Sequence, residues 1–251
     1  MTDTQQLPHE LRVAWGLDAA ATRGPKPGLS IHRILQAGIE LADEQGLAAI
    51  SMASVAKRLG FTSMSLYRYV ESKDELLRLM ADAAIELPPA LAAGSGWRAG
   101  LAVWTRAIIA HYRDHPWVLE LPITGAPVLP NNLAVMELGL SALEQTPLVP
   151  QEKLATILLL SGYARNEAML AAQLTQGRAQ SGLTPDEAGQ QYAAALGLLV
   201  TAERFPALAK LAASGVFTQP SDVDFPPEMT QFGLDRILDG IDAHIARLRT
   251  S

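Results

Sequence analysis

Apolar residues recur along this chain at intervals of three and four, the spacing of one helix face. Ile31, Ile34, Leu35, Gly38, Ile39 and Ala42 make the first clear stripe, with Ser30 placed to cap it and Gly46 to end it. Two short helices are expected next. Val55 and Leu59 give the first a buried side, and Ser51 caps it. Gly60 stands where the chain leaves that helix and needs positive φ. Leu66 and Val70 are the inward side of the second, which Thr62 is placed to cap through its hydroxyl. Ser72 and Glu75 then form an S-x-x-E capping box for a further helix, with Leu76, Leu77, Met80 and Ala84 as its stripe and Pro88-Pro89 as its stop. After a small-residue linker, helical spacing predicts elements over 97–114, 117–121, from Asn131 or Asn132 to 145, 151–177, 184–202, 206–213 and 228–249.

This pattern predicts an all-α protein. It divides into an N-terminal extension with a basic arm (1–28), a three-helix domain containing a helix-turn-helix (29–88), and a larger helical domain (97–251). Two short helices around a glycine turn place the second in the DNA major groove. The outer side of that helix carries Ser63, Met64, Ser65, Tyr67, Arg68 and Tyr69, in place of the Glu/Lys mixture of an ordinary surface helix. Its small hydroxylated start suits close approach to bases and phosphates. Lys73 follows, and Ser51 opens the first helix of the pair. Arg23 and Lys26 lie in a Gly/Pro-rich stretch with two readings: an arm that tracks phosphates or enters the minor groove, or a plain solvated linker. Gly94, Gly96 and Ala99 fit a dinucleotide fingerprint on paper, but a helix precedes them where that site needs a strand.

Composition narrows this reading. The 251 residues are rich in Ala and Leu and contain no cysteine, so disulfides, thiolate metal sites and cysteine nucleophiles are excluded. A reducing cytoplasm fits that usage, no signal peptide is expected, and the apolar run 154–160 is too short to span a bilayer. The net charge of −6 is unlike that of a DNA binder, but it is uneven. Residues 23–80 carry eight Lys/Arg against six Asp/Glu, so the basic residues gather where the helix-turn-helix lies.

From Leu29 to about Ala84 the chain resembles the DNA-binding domain of the tetracycline-repressor (TetR) family of bacterial regulators. The resemblance rests on the run Ile31–Ala42, on the A-x-x-L-G that ends at Gly60, on SLYRYV from Ser65 to Val70, and on KDELL from Lys73 to Leu77. It extends more weakly through HPW at 115–117, ERFPAL at 203–208 and FGLDRILDGI at 232–241. It implies a homodimeric repressor that binds double-stranded operator DNA and is released by a small-molecule effector, with no cofactor and no metal. In that scheme Tyr67 and Lys73 hold phosphates, Arg68 or Tyr69 contacts backbone or base, and the helix from Ser63 to Tyr69 reads bases. One departure stands out: the segment beginning Ser51-Met52-Ala53-Ser54 lacks the Arg expected there to reach a guanine.

In the larger domain, Leu234, Leu238, Ile241, Ile245 and Leu248 form a seam at spacings of four and three. The helix from Gln151 is studded with Ala, Ser and Gly. Two readings stand for this pair: a four-helix interface between copies, or core of one subunit. An effector site is expected among Trp104, Ile108, His111, Trp117, Leu121, Met136, Leu140, Tyr163, Asn166, Glu167 and Leu170, a largely apolar set with a few polar groups. The same stripe also reads as plain core. His111 and His115 have a spacing that can bind zinc, but no third ligand is evident. No catalytic motif is present, so an enzyme is not expected. The rival reading is a ligand-binding or scaffolding protein with a vestigial helix-turn-helix.

Overall fold

The computed structural model describes residues 6–17, 28–87, 96–219, 223 and 226–250. Eleven α-helices and no strand occur among them: α1 (His9–Ala14), α2 (Ile31–Gln45), α3 (Met52–Leu59), α4 (Ser63–Leu66), α5 (Lys73–Ala83), α6 (Gly96–Asp114), α7 (Pro130–Ala142), α8 (Pro150–Ser181), α9 (Pro185–Leu199), α10 (Pro206–Ala213) and α11 (Pro227–Thr250). They fall into two units, Met1–Arg165 with Leu238–Ser251, and Asn166–Ile237. The helix-turn-helix segment therefore shares its unit with the helices that follow it, although the sequence suggested a boundary between residues 88 and 97.

In the first unit, α2 to α5 close around Ile34, Ile50, Val55, Leu66, Val70, Leu76 and Met80, all buried. Local signals set these helices. Ser30, Ser51 and Ser72 each accept a backbone N–H three residues on, and Gly60 takes the left-handed conformation (φ 76°) that ends α3. Gly38 has a second reason to be glycine, since a Cβ there would meet the Met80 sulfur at 2.6 Å. Outside this core, α1 is pinned to α5 by His9–Glu75 (2.6 Å) and Glu10–Arg78 (2.6 Å), and the Trp15 indole donates to the Val128 carbonyl.

α7 begins at Pro130, one residue before Asn131 and two before Asn132, the residues expected to start it. Neither Asn caps it, nor does the N-cap residue Leu129. The carboxylate of buried Asp82 on α5 accepts instead from the backbone N–H of Asn131 and Asn132. α6 and α7 pack closely because Gly139 admits Trp104 and Ile157, which leave no room for a Cβ. The Trp104 indole donates to Val135 O at 2.7 Å.

The second unit contains the rest of α8, α9, α10 and the start of α11. Thr184 and Glu187 form a capping box on α9 with Pro185 in its first turn. Tyr192 meets Phe217 edge-on at 5.4 Å. The seam on α11 is mostly core: Leu234, Leu238 and Ile245 are buried within the single chain, whereas Leu248 is exposed. Among the described residues of α8, Leu154, Leu158 and Leu159 are left uncovered in the first unit, on a different side from buried Ile157, Leu160 and Ala164, and Leu170 and Leu174 are uncovered in the second.

Candidate functional site

The helix-turn-helix presents a narrower surface than its sequence suggested. α4 is one turn long, Ser63–Leu66, and gives way to a turn before Tyr69, where a helix to Tyr69 was expected. Two contacts explain the early end. Tyr69 N–H bonds Leu66 O three residues back, tightening the chain, and the Tyr69 hydroxyl donates to Leu29 O at 2.9 Å. That hydroxyl is thereby committed within the fold, unlike the DNA contact expected of it. Thr62 stands at the N-cap position of α4 but accepts no backbone N–H, and its hydroxyl lies 3.1 Å from that of Ser65. The Ser51 hydroxyl is engaged in a capping box with Ser54.

Met64, Tyr67, Arg68 and Lys73 remain exposed, with Ser63 and Ser65 partly so. Lys73 is the first residue of α5, where a cation opposes the helix dipole at a cost of about 0.3–1 kcal/mol. A DNA phosphate would relieve that conflict. Arg58, close by in sequence, is unavailable: its guanidinium forks onto Glu44 at 2.7 and 2.8 Å and reaches Glu40 at 3.1 Å. Those hydrogen bonds raise its pKa above the usual arginine value, and Arg58 holds the Glu44 carboxyl below its ordinary range. Arg23 and Lys26 lie outside the described residues.

A cavity of about 250 Å³ opens in the same unit. Ala81, Ile85 and Glu86 line it from the end of α5 and just beyond, Trp104, Ala107, Ile108, His111 and Tyr112 from α6, and Asn132, Val135 and Met136 from α7. Val118, Pro127, Ile157, Leu158 and Ser161 complete it. The lining is largely apolar, and among the described residues it contains no Lys or Arg. The Arg165 guanidinium lies over the Tyr112 ring and donates to the Leu119 and Leu121 carbonyls.

Of the expected contacts, Trp104, Ile108, His111 and Met136 line this cavity. Trp117 and Leu121 do not: both pack on the α2–α5 core, and the Trp117 indole donates to Asp43 Oδ1 at 2.7 Å. Leu140 and Tyr163 are also absent from the lining. Asn166, Glu167 and Leu170 belong to the other unit, where Glu167 accepts from Thr230. The sequence reading chose the wrong turns of α8, whose contribution comes earlier, at Ile157, Leu158 and Ser161. It also missed Tyr112 and Asn132, although Tyr112 directly follows His111.

His111 is the cavity's unusual group. Burial pushes its pKa down to about 4, assisted by the neighbouring His115, while Asp114 and Asp43 pull the other way. The two rings lie 5.4 Å apart, and His115 Nδ1 is 2.8 Å from Asp43 Oδ1. At neutral pH His111 therefore meets a ligand as an uncharged imidazole. In the unfolded chain it ionises near 6.5, so acid favours unfolding through this site. Its contribution to stability is present above pH 6.5 and lost as pH falls toward 4. Denaturant midpoints between pH 7 and 4.5 are expected to fall less in His111→Gln than in the wild type, and equal slopes would refute the assignment. The metal reading of His111 and His115 gains no third ligand. Among the described residues, the His/carboxylate group close enough to share an ion is His9, Glu71 and Glu75.

An exposed recognition turn and a ligand-sized cavity in one helical unit define a helix-turn-helix regulator with a sensing domain. Residues 34–80 match the model of bacterial regulatory proteins of the tetR family, and residues 88–245 match that of the tetracyclin repressor-like C-terminal domain. The chain is 34% identical over 248 residues to the HTH-type transcriptional repressor DrrR1 of Streptomyces coeruleorubidus, covering 95% of this chain and 87% of the relative. It is 30% identical over 187 residues to an HTH-type transcriptional regulator of Saccharopolyspora erythraea, covering 73% and 75%. Among solved structures, ActR of Streptomyces coelicolor in complex with actinorhodin aligns with a TM-score of 0.71 at 26% identity, over 87% of this chain and 98% of that one. The chain belongs to the tetR family of bacterial regulatory proteins. It is a DNA-binding transcriptional regulator.

Proposed function

We propose that the protein is a homodimeric repressor that binds a near-palindromic operator and is released by a small, largely apolar or aromatic effector. The observation that carries this is the course of α5. Lys73 opens the helix on the DNA side, while Ala81 near its end lines the cavity, with Ile85 and Glu86 just beyond. Eight residue steps at about 1.5 Å rise each put about 12 Å of one rigid helix between Lys73 and Ala81. A ligand that favours a different seat for the end of α5 also favours a different position for Lys73 and the recognition turn.

The name of the DrrR1 relative supports repression, and the actinorhodin complex of ActR supports a small-molecule effector. Two helix-turn-helix copies are needed to read two half-sites, and the uncovered Leu154, Leu158 and Leu159 of α8 offer an apolar face for a second copy. By role, residues 29–88 read DNA and 97–251 sense and dimerise, with 1–28 as an N-terminal extension and basic arm. The regulators among its relatives support action by binding rather than by catalysis. No helix of the described residues is long and apolar enough to cross a membrane. Work on DNA supports a cytoplasmic location.

Binding to the DNA upstream of its own gene, measured across a salt series, tests this reading. Tight, sequence-selective binding that weakens steeply with salt is expected. Lys73→Ala is expected to weaken binding to every sequence alike and to reduce the log–log salt slope by about 1.8, the value for one phosphate contact in each of the two subunits. Binding that barely depends on salt would favour the vestigial helix-turn-helix.

A further inference from the structure

Met64 is 74% exposed, on a turn otherwise anchored by the buried side chain of Leu66. Leu66 and Val70 fix the orientation of this segment, so Met64 is displayed by a rigid support. The surrounding chemistry is restricted. From Gly60 to Leu66 there is no Asn, Gln, Arg or Lys, so this stretch holds no side chain able to form a paired hydrogen bond with guanine or adenine. Thr62 and Ser65 have hydroxyls in mutual contact at 3.1 Å, and Arg58 is held by Glu40 and Glu44. The surface offered to a base edge is thus apolar at Met64 and hydroxylic beside it.

The major-groove edges of the four bases carry one apolar group, the C5-methyl of thymine. We propose that Met64 is a specificity-determining residue that covers that methyl, so that each operator half-site carries a thymine at the position facing it. The inference rests on the DNA-binding reading and adds a chemical identity to one operator position. Arg68 and Tyr67, further along and exposed, serve other positions or the backbone. A flexible thioether suits the task, because it adapts to a small apolar target without a polar group to satisfy.

The test uses duplexes recovered from a random-sequence library by the purified full-length protein. Each thymine of the best duplex is replaced singly by deoxyuridine, which removes the methyl and keeps every hydrogen-bonding group. One replacement per half-site is expected to weaken wild-type binding about fourfold, the scale of one buried methyl. The same replacement should have no effect on Met64→Ala, and should keep its effect in Met64→Leu, which retains apolar bulk, and in Ser63→Ala. If no thymine responds, or if Met64→Ala responds as the wild type does, the assignment is wrong while DNA binding stands. If the library yields no preferred sequence, the DNA-binding reading fails, and this inference with it.

Discussion

Asp82→Ala is expected to lower the melting temperature by roughly 5–15 °C, the largest stability effect of any single polar substitution proposed for this chain. Asp82 is 4% exposed. Its carboxylate accepts from Asn131 N–H at 3.2 Å and from Asn132 N–H and Nδ2 at 2.8 Å, and its own carbonyl accepts from Asn131 Nδ2 at 2.9 Å. These backbone donors belong to the first turn of α7, which has no side-chain cap of its own and opens with a proline. A carboxylate at this end also suits the helix dipole. Alanine removes the cap and leaves two helix-end donors without their partner, a loss of about 2–4 kcal/mol. Asp82→Asn retains an acceptor oxygen and should cost roughly half as much. Calorimetry of the three proteins decides the matter, and an alanine variant that melts within about 2 °C of the wild type would remove Asp82 from this role.

The second large effect is on function. Ile108→Trp is expected to fill the cavity and produce a regulator that holds its operator in the presence of effector. Ile108 lines the space beside Trp104 and His111 and is partly buried, so a larger ring at this position extends into the cavity. A ligand shifts the DNA-binding equilibrium only through its differential affinity for the two states, and one that cannot enter shifts nothing. Operator affinity should stay within about threefold of wild type, because the recognition turn is untouched. Compounds that release the wild type should fail at about ten times the concentration. Release of both proteins at equal concentration would place the effector elsewhere.

Local chemistry made most of the helix-turn-helix legible. Ser30, Ser51 and Gly60 act within a few residues of themselves, and the structure uses each as the sequence indicated. Ser72 caps α5, but the expected box with Glu75 does not close, because Glu75 accepts from Glu71 N–H and pairs with His9. The errors lie where a distant partner decides. α4 ends early because Tyr69 reaches Leu29, forty residues away in the chain. α7 is capped from α5, so its own Asn residues gave a misleading start signal. Trp117 shares the composition of a ligand wall, yet Asp43 draws its indole onto the α2–α5 core. Helical spacing tells which residues share a side but not what that side meets. For this reason α6 contributed three correct cavity residues and the expected stretch of α8 contributed none.

The absence of Lys and Arg from the described cavity wall bears on how a cell avoids false alarms. Much of the soluble metabolite pool carries phosphate or carboxylate groups. Such molecules surrender hydration on entering a mostly apolar space, and here they meet an uncharged imidazole and the carboxyl-bearing Glu86 in place of a compensating cation. On the proposed reading, such a wall favours effectors that surrender little hydration on entry, so common anionic metabolites would be poor inducers.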